Sequence, residues 1–214
     1  MITSTSGLAD DQRLMPVGEV VSSSITGLVA ETLPQAVSGG LPEPVRPEFG
    51  SFLYVDARED GMQIVAVVHN VVTGPQDSTH KAAALGLSRE QLRAEQPHIF
   101  SLLKTEIQAA TIGFFRGERY FPHLPPQPPQ VHDFVFALSN EQLQMASADL
   151  DFLRLLSGVS TVPPDELLAA SIRQASRART GNRQYLVEAG QALSQLFRDD
   201  YDRLVCVLRK IKPD

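Results

Sequence analysis

The chain has 214 residues, 43% hydrophobic and 21% charged, with a net charge of −6, which is enough material for a real core and ordinary for a globular protein. A single cysteine, Cys206, excludes an internal disulfide and cysteine-rich zinc sites. No run approaches the roughly 18 apolar residues of a membrane span, and the first residues show neither a charged nor an apolar leader, so a cytoplasmic protein is expected.

Residues 1–15 are polar and aperiodic and read as a loose arm. From Pro16 the chain reads as short strands rich in β-branched residues and punctuated by Gly, Pro, Asp and Ser. Val17–Ser22 and Ile25–Leu33 form the first pair, with Ser22-Ser23-Ser24 as the turn. Gln35 to Gly50 holds Gly39-Gly40 and three prolines and reads as a surface loop. Ser51–Asp56 and Met62–Val72 form a hairpin over Asp56–Gly61, where Asp-Gly supplies positive φ. Met62–Val72 is apolar on both faces, Val65, Val67 and Val71 on one and Ile64, Ala66, Val68 and Val72 on the other. Burial on two sides suits a closed barrel covered by an outside element.

A helical insert follows. Ser88 and Gln91 have the spacing of a capping box, and Pro97 breaks or restarts the helix before His98–Leu103. Glu106–Phe115 returns to strand, its alternation loose near the end. Pro122–Pro129 carries five prolines in eight residues, a stiff extended spacer or a segment for a partner's aromatic groove. Val131–Leu138 is the last strand.

From Ser139 the period becomes helical. Ser139 and Gln142 repeat the capping box over Leu143 and Met145, and Leu150, Leu153, Leu155 and Leu156 lead to Gly158. Pro163-Pro164 opens the next helix, with Leu167, Leu168, Ile172 and Ala175 inward. One long helix is predicted from Arg183 to about Ile211, its apolar stripe slipping by one residue between Leu196 and Phe197. The expected fold is therefore α+β: a small closed β-barrel with a helical insert over residues 16–138, then a helical module of three or four helices over 139–214.

No residue pattern carries chemistry. The five histidines have no paired ligand spacing, so no metal is expected. Ser38-Gly39-Gly40 and Arg179–Arg183 lack the lysine and helix start of a phosphate loop, and no cofactor is expected. Asp56, Glu59 and Asp60 gather at a hairpin tip where nothing would shift their ionisation. Cys206 falls among Leu204, Val205, Val207 and Leu208 and reads as a small core residue. From Pro164 onward nine Lys/Arg outnumber seven acids, and Arg173, Arg177, Arg179 and Arg183 form a basic strip. With Phe197 and Tyr201 they make the candidate partner surface, a solvated helix face being the plainer reading of the arginines. Nucleic acid is the weaker partner, because no aromatic side chains interleave the strip.

The strands Val17–Val21, Gly27–Ala30, Glu48–Val55 and Ile64–Val71, with the insert and the proline exit, resemble the HAS barrel of HerA-type DNA translocases and rotary ATP synthase subunits. That resemblance implies ring assembly and partner docking. The phosphate-loop motor that follows the barrel in HerA-type proteins is replaced here by the helices, so no catalytic residue carries over. The expected function is a non-catalytic assembly or adaptor protein, self-associating or docking on a separate ATPase, with DNA processing as the context. The alternatives are an accessory factor of another large complex, docked through the amphipathic C-terminal helix, and an enzyme with a scattered site.

Overall fold

The computed structural model describes residues 15–35, 43–44, 46–57, 61–76, 84–179 and 183–212. Glu59, Asp60, His80, the Gly39-Gly40 segment and the expected N-terminal arm up to Leu14 lie outside them.

The strands are β1 (Gly18–Ser24), β2 (Gly27–Thr32), β3 (Pro34–Gln35), β4 (Glu43–Pro44), β5 (Phe52–Ala57), β6 (Met62–Pro75), β7 (Leu103–Arg116), β8 (Arg119–Phe121) and β9 (Phe134–Ala137). The spatial order β2-β1-β9-β5-β6-β7 returns to its start because β7 also pairs with β2, Gly27 opposite Ala110 and Glu31 opposite Glu106. Six antiparallel strands thus close into a barrel. The short ladder of β3 and β4 stands apart, and β8 extends β7 as a hairpin.

All six strands send residues into one buried cluster, which only the inside of the cylinder can accommodate: Val20, Leu28, Ala30, Leu53, Val55, Ala66, Val68, Ile107, Ala109 and Val135. Three of the ten are alanines, as a narrow barrel demands. The alternate residues Phe52, Tyr54, Val65, Val67, Ile112 and Phe115 face outward yet are buried, because the helices cover them. Two-sided burial of the long strand is therefore as the sequence indicates.

Two bulges explain where the alternation fails. In β6, Val68 pairs with Ala109 and Asn70 with Gln108, so His69 is an extra residue. A one-residue slip exchanges the faces of everything after it. Val71 consequently packs on the barrel interior and Val72 is exposed, the reverse of the sequence assignment. In β7, Gly113 pairs with Val65 and Thr111 with Ala66, leaving Ile112 as the extra residue, which accounts for the loose alternation there. The first hairpin also differs from expectation. The serines stay in β1 and the turn is Ile25-Thr26, since exposed strand positions tolerate Ser22 to Ser24.

The insert forms α1 (Arg89–Glu95) and α2 (His98–Ser101), and both capping boxes are made, Ser88 with Gln91 and Ser139 with Gln142. The C-terminal module has five helices rather than three or four: α3 (Asn140–Ala146), α4 (Phe152–Ser157), α5 (Pro164–Arg177), α6 (Arg183–Leu196) and α7 (Tyr201–Lys210). The predicted helix from Arg183 to Ile211 is two, broken where Asp200 accepts a bond from the Arg203 amide and caps α7. The stripe's one-residue slip marks this break. Met145 and Leu155 are exposed. Helix α5 runs through the middle of the module, with Leu167, Leu168 and Ile172 fully buried between the barrel wall and its neighbours. Phe52 of the barrel meets Phe152 of α4 edge to face at 5.7 Å. Barrel wall and helices thus share a single core.

Candidate partner-docking surfaces

The basic strip is divided among several internal duties. Arg173 donates to the Lys210 carbonyl at 2.5 Å, tying α5 to the end of α7. Arg177 lies 3.0 Å from the Glu48 carboxylate, which also accepts from Gln174. Arg179 donates to Ser147 Oγ, the Ala175 carbonyl and the Gln144 carbonyl at 2.7–2.9 Å and lies over the Tyr185 ring at 4.1 Å. Burial pulls its guanidinium below the ordinary value. Arg183 alone of the four is exposed with no described partner. Phe197 is buried, with Arg203 over its ring at 4.4 Å, whereas Tyr201 is 73% exposed. Of the candidate surface, Arg177, Arg183 and Tyr201 face solvent; Arg179 and Phe197 hold the helices together.

The apolar stripe of the C-terminal helices is likewise spent at home. Tyr185, Ala189 and Leu193 of α6 and Val207 of α7 are buried, and α7 is fastened to the start of α5 by Arg203–Asp165 at 2.7 Å and Lys210–Glu166 at 2.5 Å. Cys206 is exposed, a correction to the core reading. The inward face of α7 is Leu204, Val207, Leu208 and Ile211, and Cys206 lies round the helix from it.

Among the described residues, β6 and β7 run on past the strands that flank them as an arm. Strands β6 and β7 are each 14 residues long, but β5 covers β6 only as far as Val67 and β2 covers β7 only from Glu106 to Ala110. Thr73–Pro75 and Leu103–Thr105 continue as a two-stranded ribbon, pinned by the Thr73 and Thr105 hydroxyls at 2.9 Å. The ribbon carries α1, none of whose residues is buried; Arg89 and Arg93 lie over the Phe100 ring of α2 at 5.1 and 5.6 Å. Val72, Leu85 and Leu102 are 44–56% exposed along it. Composition alone did not mark this surface; the length mismatch between β6 and its neighbours did.

At the seam between barrel and helices lies a cleft of about 570 Å³, lined by Ser22–Ser24, Thr26, Gln108, His69 and the Gly158–Thr161 link. The bulge turns His69 towards that link, with Nδ1 3.2 Å from Thr161 Oγ1, and burial lowers its pKa. Among the described residues that line it there is no Asp, Glu, Lys or Arg. His123 lies edge-on to Phe114 and Phe121, and His132, at φ 76°, meets Glu19 at 2.5 Å. Among the described residues no three His, Cys, Asp or Glu side chains gather as a metal site would need. No helix among the described residues is long and apolar enough to cross a membrane.

No family model matches the chain, and no curated protein matches its sequence.

Proposed function

We propose that the chain is a non-catalytic assembly or adaptor protein that docks a protein partner, or a second copy of itself, through the β6–β7 arm. The single observation behind this reading is that arm. Helix α1 has seven residues and buries none of them, too short to be stable on its own in water. Beyond it, Val72, Leu85 and Leu102 spend apolar area on solvent within one stretch of the fold. A partner seated on the arm resolves both features. The HAS-barrel resemblance supports the same role, and a HerA-type ATPase engaged in DNA processing is the partner to try first.

The alternative, docking through the C-terminal amphipathic helix, is the weaker one. That helix is two helices, and their apolar faces are already buried on α5 and its neighbours. The test is light scattering of the full chain, alone and with a HerA-type ATPase, for wild type and for Val72→Asp with Leu102→Asp. A complex or multimer lost in the double variant, with the folded monomer retained, supports the reading. Assembly indifferent to both aspartates, or a monomer that engages neither itself nor the ATPase, overturns it.

A further inference from the structure

Away from the arm, at the opposite end of β7, two arginines stand directly opposite each other. Arg116 closes β7, Arg119 opens β8, and the turn between them is Gly117-Glu118, with Gly117 at φ +59°. Like charges facing across a ladder destabilise the pair. Among the described residues neither arginine meets a carboxylate: Arg116 contacts the Met62 sulfur at 3.5 Å, and both are exposed. Each guanidinium is instead laid on an aromatic ring, Arg116 at 6.0 Å from the centre of Phe114 and Arg119 at 4.9 Å from Phe121. Those two rings stack on each other at 5.1 Å and 11°. The register and the stacked rings set two planar five-donor forks on one face of the hairpin, with no carboxylate partner among the described residues.

We infer that Arg116 and Arg119 form a clamp for carboxylates presented by an acidic segment of a partner protein. Fork-to-carboxylate pairing is bidentate and charge-assisted, and two adjacent forks neutralise one or two carboxylates at close spacing. Nucleic acid fits less well. Glu118 sits between the arginines, the whole chain carries a net charge of −6, and Phe114 is 4% exposed, so it offers no face on which a base could stack. The clamp extends the docking reading above and rests on it, but at a site separate from the arm.

The test is fluorescence anisotropy of a labelled hexaglutamate peptide against the full chain, at about 50 mM and about 300 mM salt. Wild type binds saturably and more weakly at the higher salt. Arg116→Gln with Arg119→Gln weakens binding by about tenfold or more, the double lysine variant falls between, and Arg183→Gln leaves it unchanged. Thermal melts confirm that each variant is folded. No peptide binding by wild type, equal binding by the double glutamine variant, or an oligothymidine strand of equal charge bound more tightly through the same arginines overturns the clamp. Assembly through the arm, measured by light scattering, is read independently. A failed clamp with intact assembly removes only this inference, and lost assembly removes the docking reading itself.

Discussion

Gly50 is pressed onto helix α5 so closely that a methyl group on it would stand 2.6 Å from the Ala170 Cβ and 2.7 Å from the Ala170 carbonyl carbon. Its φ is +81°, its amide donates to the Val68 carbonyl at 2.8 Å, and the chain turns there into β5. Backbone hand and backbone proximity both require glycine at this point. Gly50→Ala therefore combines roughly 1–2 kcal/mol of left-handed strain with roughly 1–3 kcal/mol of overpacking. In urea the midpoint falls with the slope unchanged; a variant as stable as wild type would show that α5 yields at no cost.

Arg179 and Arg183 look alike in the sequence and are expected to behave differently. Arg179→Ala removes donors from two carbonyls and a hydroxyl and a cation from over Tyr185, for a loss of about 1–3 kcal/mol. Arg179→Lys recovers little of it, because an ammonium cannot fork. Arg183→Ala, at an exposed position, stays within about 0.5 kcal/mol of wild type. Thermal denaturation of the three variants separates an arginine that holds the helices from one that faces water.

Alkaline pH probes the same corner. Burial pushes the Tyr185 hydroxyl up to about 12 against the pull of the Arg179 cation. Unfolded, the phenol loses its proton near its ordinary value of about 10, so above that pH the unfolded state binds fewer protons than the folded one. Stability contributed by Tyr185 is thus intact below pH 10 and declines as pH rises towards 12. Tyr120, raised further by burial, adds a loss of the same sign. Urea titrations between neutral pH and the alkaline limb show a steeper decline for wild type than for Tyr185→Phe; equal slopes would mean that the hydroxyl is solvated.

Cys206 is expected to react with Ellman's reagent in the native protein at nearly the rate of the unfolded chain, giving one thiol per molecule. A native rate slowed by orders of magnitude would return it to the core. The sequence misplaced it because Val205 and Val207 flank it, and in a ten-residue helix the inward face is set by what the helix packs on.

The same distinction separates what was legible from what was not. Capping boxes at Ser88 and Ser139 and the two-sided apolarity of Met62–Val68 are local signals, and the structure follows them. The His69 bulge and the Ser147 and Gln144 partners of Arg179 depend on residues far along the chain. The break at Asp200 is local and leaves a local trace, the one-residue slip in the stripe. Within the candidate surface the same holds: Phe197 and Tyr201 are four apart on the sequence, yet one is buried and the other exposed because the chain bends between them.

The shared core sets a limit on dissection. A chain cut after Leu138 keeps all six barrel strands, so sequence modularity suggests a free-standing barrel. The structure argues otherwise. Phe52, Tyr54, Val65, Val67, Ile112 and Phe115 lie on the outer wall beneath the helices, and the cut exposes all of them together. Each large apolar side chain returned to water forfeits about 1.5–3 kcal/mol, and six of them exceed the net stability of a small domain. Residues 15–138 should therefore be recovered as aggregates or as a species that binds a hydrophobic dye, with little resistance to protease. Adding residues 139–214 as a separate chain should restore protection where the two refold together. A soluble, monomeric barrel with a cooperative melt would show instead that the outer wall needs no cover.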